Sequence, residues 1–121
     1  MAQNHETGKW GEEEAQGFLL SKGYEVLDVN WKFLHLEIDI VAKIGEKLVI
    51  VEVKTRGTDA YGDPEMFVSK TKQRKLIRAA NLYLDQKKLE NEVRFDVIGI
   101  IRNNGHFRLR HVQDAFAPFG G

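Results

Sequence analysis

The chain has 121 residues, 42% of them hydrophobic and 30% charged, with a formal net charge of zero. This is long enough for one domain with its own core, and the absence of cysteine excludes disulfides and thiolate zinc sites. Because the chain has no long apolar run and no signal-peptide core, we expect a soluble, cytoplasmic protein without membrane contact.

The hydrophobic pattern predicts seven elements in chain order. A helix over about 7–21 is followed by strands over 24–33, 36–42 and 47–54, a loop over 55–66, a helix over about 69–87, and strands over 93–102 and 106–112. Short turns favour antiparallel pairing, and the strand–helix–strand connection favours a parallel pair. We therefore predict a single α/β domain over 1–121, with a mixed central sheet of about five strands flanked by helices in the order α-β-β-β-α-β-β. We expect an irregular tail over 113–121.

The hairpin of the second and third strands carries charge inside two apolar runs. Loops of three or four residues both suit a hairpin. With the three-residue loop, however, the apolar side chains of one strand would lie opposite the charged side chains of the other. We favour the four-residue loop over 44–47, in which Asp39 faces Glu52 and Glu37 faces Lys54 on one face. The other face carries an apolar row that we expect to be core: Ile38, Ile40, Val49, Val51 and Val53.

Directly opposed carboxylates destabilise a strand pair, because their Cβ atoms lie only about 5 Å apart. Lys54 supplies one compensating charge, and a divalent cation such as Mg²⁺ or Mn²⁺ bound by Asp39 and Glu52 would supply more. The alternative is a Glu37–Lys54 cross-strand pair on a solvated face, with Asp39 and Glu52 exposed.

Glu12 is the one of three consecutive glutamates that lies on the packing stripe of the first helix, together with Gly8, Ala15 and Leu19. A carboxylate on that stripe requires a partner. It either reaches the Asp39/Glu52 site as a third carboxylate or is an acid of the first turn stabilised by the helix dipole.

The charge is unevenly distributed: residues 1–30 carry a net charge of −4, and residues 54–78 carry +4. A basic segment can bind a polyanion although the whole chain is neutral, while a solvated helix face is the alternative. The candidate phosphate contacts are Arg56, Lys70, Lys72 and Arg74.

Other ionisable residues are weaker candidates. For Asp96 a salt-bridged position in the sheet is favoured over a fourth ligand. The four histidines lack zinc-site spacing and are expected at the surface or at strand ends. No GxxxxGK or GxGxxG element supports nucleotide hydrolysis or dinucleotide chemistry.

Two sets of motifs resemble known families. IDIVA, followed thirteen positions after its aspartate by the glutamate of EVK, resembles the PD-(D/E)xK signature of restriction-endonuclease-like nucleases. The ordered segments GKWGEEEAQGFLLSKGYEVLDVNW, LEIDIVA, LVIVEVKTR, YGDP and RFDVIGI, which span most of residues 8–101, resemble the YraN-like uncharacterised protein family. That family is similar in fold to archaeal Holliday junction resolvases.

The resemblance implies roles for individual residues. Asp39 and Glu52 would be metal ligands, Lys54 the catalytic lysine, and Glu12 the helix glutamate that completes such sites. Glu37 matches a supporting Gly-Glu-Ile-Asp element, in which Leu36 replaces the glycine. Because two-fold symmetry suits the cutting of a symmetric junction, the resemblance also implies a homodimer.

We therefore expect a Mg²⁺- or Mn²⁺-dependent endonuclease or nuclease-like protein that acts on DNA, with branched DNA as a substrate implied by the resemblance. One alternative is a non-catalytic nucleic-acid-binding module on the same fold. Another is a domain whose acidic and basic patches bind a protein partner.

Overall fold

The computed structural model describes residues 2–56, 66–103 and 105–118, with side chains from residue 8 onward except at position 103. The predicted loop over 55–66, with its YGDP segment, lies mostly outside these residues. Within the described ranges the elements are α1 (Ala2–Ser21), β1 (Glu25–Phe33), β2 (Leu36–Ile44), β3 (Lys47–Arg56), α2 (Lys70–Lys87), β4 (Glu92–Asn103) and β5 (His106–Phe116).

The five strands form one mixed sheet in the order β1-β2-β3-β4-β5. The β3/β4 pair is parallel because α2 connects the two strands, and the other three pairs are antiparallel. The predicted element order is confirmed, and the architecture fits a restriction-endonuclease-like fold. Neither helix of the described chain is long and apolar enough to span a membrane.

Each face of the sheet has its own apolar core. On the α2 face the buried residues include Leu36, Ile38, Val41, Leu48, Ile50, Leu76, Ala79, Ala80, Tyr83, Phe95 and Val97. On the α1 face they are Ala15, Leu19, Tyr24, Ile40, Ala42, Val49, Val51, Ile98 and Ile100. The middle of β3 is therefore buried on both faces, as its continuous apolar run requires.

The hairpin register predicted from the charge pattern is confirmed from Ile40↔Val51 to Ile44↔Lys47. Pairing continues one step further than predicted and leaves a two-residue turn at Gly45 and Glu46. Gly45 adopts φ 57°, a left-handed conformation that costs glycine little.

The predicted uninterrupted apolar row is wrong at one position. Ile38 packs in the α2-side core, whereas Ile40 packs in the α1-side core, so the alternation of side chains is interrupted between them. The β1/β2 ladder skips the position of Asn30 and Asp39, and Asn30 has φ 53°. Asparagine tolerates this left-handed conformation better than most residues, which allows the local change of face.

Both ends of the chain are more regular than predicted. Helix α1 begins at Ala2 rather than near Thr7, since no proline or glycine precedes Gly8 to stop it. Strand β5 continues to Phe116, which corrects the predicted irregular tail over 113–121 for its first four residues. The ring of Phe116 stacks on Phe95 at a centroid distance of 4.8 Å and extends the core to this point.

Helix α2 begins one residue after its predicted start. The Ser69 side chain accepts a hydrogen bond from the Lys72 backbone N–H at 3.1 Å and caps the helix. The apolar stripe of Leu76, Ala79, Ala80 and Tyr83 is buried against the sheet, and Leu84 is partly buried beside it. The Tyr83 hydroxyl also donates to Asp28 of β1 at 2.7 Å, so α2 is joined to the far edge strand.

Candidate functional site

The candidate site lies where β2 and β3 separate. Their ladder ends at Ile40↔Val51, so the predicted direct oppositions of Asp39 with Glu52 and of Glu37 with Lys54 are not formed. A carboxylate oxygen of Asp39 instead accepts a hydrogen bond from the Val53 backbone N–H at 2.8 Å. The Asp39 side chain thus satisfies a β3 donor that a continued ladder would have paired, and its carboxylate is fixed in the gap between the strands.

The surroundings of Asp39 disfavour its ionised form. Burial, and then the nearby Glu52 carboxylate, raise the pKa of Asp39 to about 7, although the Val53 N–H and Lys72 act in the opposite direction. The two carboxylates predicted to form a metal seat are therefore electrostatic neighbours in a partly desolvated place. A cation placed between them would remove this repulsion.

Lys72 of α2, a predicted phosphate contact, lies close to the acidic residues of the candidate site. Its ammonium forms an ion pair with Glu52 at 3.7 Å and lowers the pKa of Asp39. We predicted a phosphate contact, and the structure places Lys72 as a counter-charge in the site. Lys70, Arg74 and Arg56, the other three candidate phosphate contacts, are exposed.

Glu37 and Lys54 do not pair with each other, which removes the cross-strand alternative. Glu37 forms an exposed ion pair with Lys32 at 3.6 Å, and such surface pairs contribute little stability. The half-buried Lys54 donates a hydrogen bond to the Phe67 backbone carbonyl. Lys54 follows Glu52 by two residues on the same face of β3.

Glu12 approaches this region from α1. Burial is the main cause that raises its pKa, with repulsion from Asp39 and Glu37, while a hydrogen bond with the Asn30 side chain acts in the opposite direction. Because α1 begins at Ala2, Glu12 lies three turns inside the helix. The alternative of first-turn stabilisation by the helix dipole is therefore wrong, since that effect is confined to the first turn.

A glycine allows α1 to come close to β3 beside Glu12. A Cβ atom at Gly11 would lie 2.0 Å from the Thr55 Oγ1 atom, so another residue fits there only if the Thr55 side chain or the helix shifts. This contact brings α1 against β3 at Thr55, and the charged neighbours of Glu12 there are Asp39 and Glu37 of β2 and Lys32 of β1.

Across the described ranges, no three His, Asp or Glu side chains lie close enough together to hold a metal ion by themselves. Mg²⁺ needs only one or two protein carboxylates, because water and substrate phosphate complete its octahedral shell. The Asp39/Glu52 pair, with oxygen donors and mutual repulsion, fits that requirement.

The sheet register adds two cationic residues that sequence reasoning missed. Lys54 pairs with Gly99 and Gly99 with Arg110, so Lys54 and Arg110 share a face about 10 Å apart. By the same pairing Arg56 and Arg108 share the next row. The alternating R-L-R in β5 was the available signal, but its face depends on two strand registers.

A second polar cluster surrounds Asp96, which is 1% exposed. Its carboxylate accepts hydrogen bonds from Arg94 at 2.8 and 2.9 Å and from the Asp114 backbone N–H at 3.0 Å, and its other neighbour is His111 Nε2 at 2.7 Å. These contacts hold the pKa of Asp96 low despite its burial. The predicted salt-bridged role is confirmed. The surface or strand-end position expected for His111 is wrong, since its side chain is 9% exposed and lies in the middle of β5.

Comparison with known proteins gives the family. The sequence profile of the uncharacterised protein family UPF0102 matches residues 11–100. The chain belongs to UPF0102. The matched range includes Glu12, Asp39, Glu52 and Lys54 and excludes the arginines of β5.

Similar proteins from several organisms agree with this assignment. A UPF0102 protein of Christiangramia forsetii is 44% identical over 98% of this chain and all of its own length. One from Thermodesulfovibrio yellowstonii is 45% identical over 92% of this chain and 96% of its own, and one from Bacteroides thetaiotaomicron is 42% identical over 98% of each. Their names state no activity, so the functional argument rests on the site.

Proposed function

We propose that this UPF0102 protein is a Mg²⁺- or Mn²⁺-dependent endonuclease of the restriction-endonuclease-like superfamily that hydrolyses phosphodiester bonds in DNA. The observation that carries the proposal is the Asp39/Glu52 pair, held where two strands separate and flanked by Lys54. Two adjacent carboxylates in a partly desolvated place destabilise the apo protein and are well suited to a hard cation.

The roles of the side chains follow from their positions. Asp39 and Glu52 would hold the metal, which when bound polarises a phosphodiester oxygen and lowers the pKa of a coordinated water. Lys54 would orient the attacking water and balance charge on the phosphate. Lys72 neutralises part of the acidic charge and limits repulsion of the polyanionic substrate, and Glu12 of α1 would support the site through its proximity to Asp39.

Substrate binding is assigned to the basic surface beside the site. Lys70, Arg74 and Arg56 are exposed, and Arg110 shares the face of Lys54. Contacts of this kind bind phosphates without reading sequence and give affinity that falls with salt. The likeness to junction resolvases favours branched DNA and a homodimer, and the cysteine-free composition favours the cytoplasm.

The test is cleavage of linear, nicked and four-way-junction DNA in Mn²⁺ or Mg²⁺ by the wild type and single variants. Asp39→Asn, Glu52→Gln and Lys54→Met should each lower the rate by at least about a hundredfold. Glu12→Gln should also lower it, whereas Glu13→Gln, at the exposed neighbouring position, should not. Cutting that persists at the wild-type rate in all four site variants would come from a contaminant and refute the proposal.

One observation favours a second candidate, a nucleic-acid-binding module that does not cleave. The Lys72 ammonium already compensates Glu52 and so partly neutralises the acidic pair without metal. Salt-dependent DNA binding in Ca²⁺, combined with no cleavage in Mn²⁺ or Mg²⁺, would select this function.

A further inference from the structure

Phe67 is an aromatic residue beside the candidate site, and its side chain is exposed to solvent. Its side chain and backbone together are 65% exposed, although the residue lies next to buried Val68. The Phe67 carbonyl accepts the hydrogen bond of Lys54, so the residue that carries the exposed ring is joined directly to the candidate catalytic lysine.

The segment before α2 holds Phe67 in this position. Met66 packs against the α2-side core and Val68 is buried in it, whereas Phe67 between them is exposed. Ser69 then caps α2. The backbone is thus fixed on both sides of Phe67, and the ring is presented to solvent.

The basic residues that follow Phe67 at the start of α2 indicate what its ring contacts. Lys70 and Arg74 lie one turn apart on the first turns of α2 and are both exposed. Cationic side chains next to an exposed aromatic ring are the combination by which proteins bind unpaired nucleic-acid strands, because the cations bind phosphates and the ring stacks on a base. Bases inside an intact duplex are already stacked and do not reach such a ring.

We propose that Phe67 stacks on an unpaired base of the nucleic acid bound at Lys54, and that the protein acts on single-stranded or locally unpaired DNA. This inference rests on the proposed function and narrows its substrate class. The Phe67 carbonyl positions Lys54 whatever the side chain is, so substitution of the ring tests stacking without removing that contact.

The test measures binding in Ca²⁺ to single-stranded DNA carrying 2-aminopurine and to a matched intact duplex. Anisotropy gives the Kd, and 2-aminopurine fluorescence reports stacking on the base. Phe67→Ala and Phe67→Leu should weaken single-strand binding about tenfold and abolish the fluorescence change, while duplex binding changes less than about twofold. Phe67→Trp should retain both signals.

Leu20→Ala provides the matched control. Leu20 is an apolar residue with 58% exposure near the end of α1, at the opposite end of the sheet from Lys54, and its removal should leave both affinities unchanged. Leucine at position 67 keeps an apolar surface but cannot stack, so it separates base stacking from general hydrophobic contact.

The outcomes distinguish this inference from the proposed function. Wild-type protein that binds no nucleic acid at low salt refutes both. If the wild type binds but Phe67→Ala retains wild-type affinity for both DNAs, or loses them equally, only the stacking inference is refuted. Loss of a dimer in Phe67→Ala by sedimentation, with DNA affinity unchanged, would assign the ring to a protein contact and also refute stacking.

Discussion

Replacing Asp39 with asparagine should stabilise the metal-free protein at about pH 8, although it removes a proposed ligand. The asparagine oxygen still accepts the Val53 N–H bond, and the repulsion from Glu52 disappears. A rise in the pKa of Asp39 from its ordinary value of 3.8 to about 7 corresponds to about 4 kcal/mol of destabilisation when the group is ionised. Relaxation of the two carboxylates and entry of water reduce this penalty, so we expect a gain of about 2 kcal/mol.

The sign of the effect depends on pH. Below its unfolded pKa, near 3.8, Asp39 is protonated in both states and contributes no penalty. As the pH rises from about 4 to 7, the unfolded state loses its proton first, and the Asp39 contribution to the stability of the wild type falls. The asparagine side chain of the variant has no proton to lose, so the advantage of Asp39→Asn should be largest above pH 7 and vanish near pH 4.

The assay is urea denaturation of the wild type and Asp39→Asn with EDTA at several pH values. At about pH 8 the melting temperature of the variant should also lie roughly 8 °C above that of the wild type. Excess Mg²⁺ should then stabilise the wild type and leave Asp39→Asn unchanged, because ligand binding to the folded state raises the free energy of unfolding. If Asp39→Asn lowers the stability at pH 8 without metal, the carboxylate is a satisfied structural group and the reasoning is wrong.

Three further substitutions test neighbouring contacts. Lys72→Met should raise the pKa of Asp39 further in a carboxyl ¹³C NMR titration, and an unchanged pKa would contradict the counter-charge role. Asp96→Asn should cost about 3 kcal/mol in urea denaturation, because it leaves the partly buried Arg94 guanidinium without its counter-charge; a loss below about 1 kcal/mol would refute that. Gly11→Ala should lower the free energy of unfolding by about 1–3 kcal/mol through its clash with Thr55. Adding Thr55→Ala to that variant should restore part of the loss, whereas the losses of two independent substitutions would add.

Much of the fold was predictable from the sequence because local and non-local signals agree. Four of the six β3 residues from Leu48 to Val53 are fully buried, as their apolar run predicted. The hairpin register was predicted by placing the charged residues of β2 opposite the charged residues of β3. That register is correct where the two strands pair. Each one-residue slip would move every side chain to the wrong face, so the pattern specifies the register strongly.

The details of the site were not predictable, because they depend on interactions between distant segments. The interruption at Asp39 requires the left-handed Asn30 on a neighbouring strand and a donor on β3. The role of Lys72 depends on how α2 lies across the sheet, which helical periodicity does not give. The partnership of Asp96 with His111 depends on the register shift between β4 and β5.

The free-energy cost of an ionised Asp39 also explains why the proposed function is centred on this residue. Asparagine at this position would keep the Val53 bond and remove the repulsion, so selection for folding alone favours it over aspartate. The ionised carboxylate costs about as much as the burial of one large apolar side chain gains, a loss that the two cores of the sheet can absorb. A group that opposes stability where the β2/β3 ladder ends, near the half-buried Lys54, is best accounted for by a ligand that needs its charge.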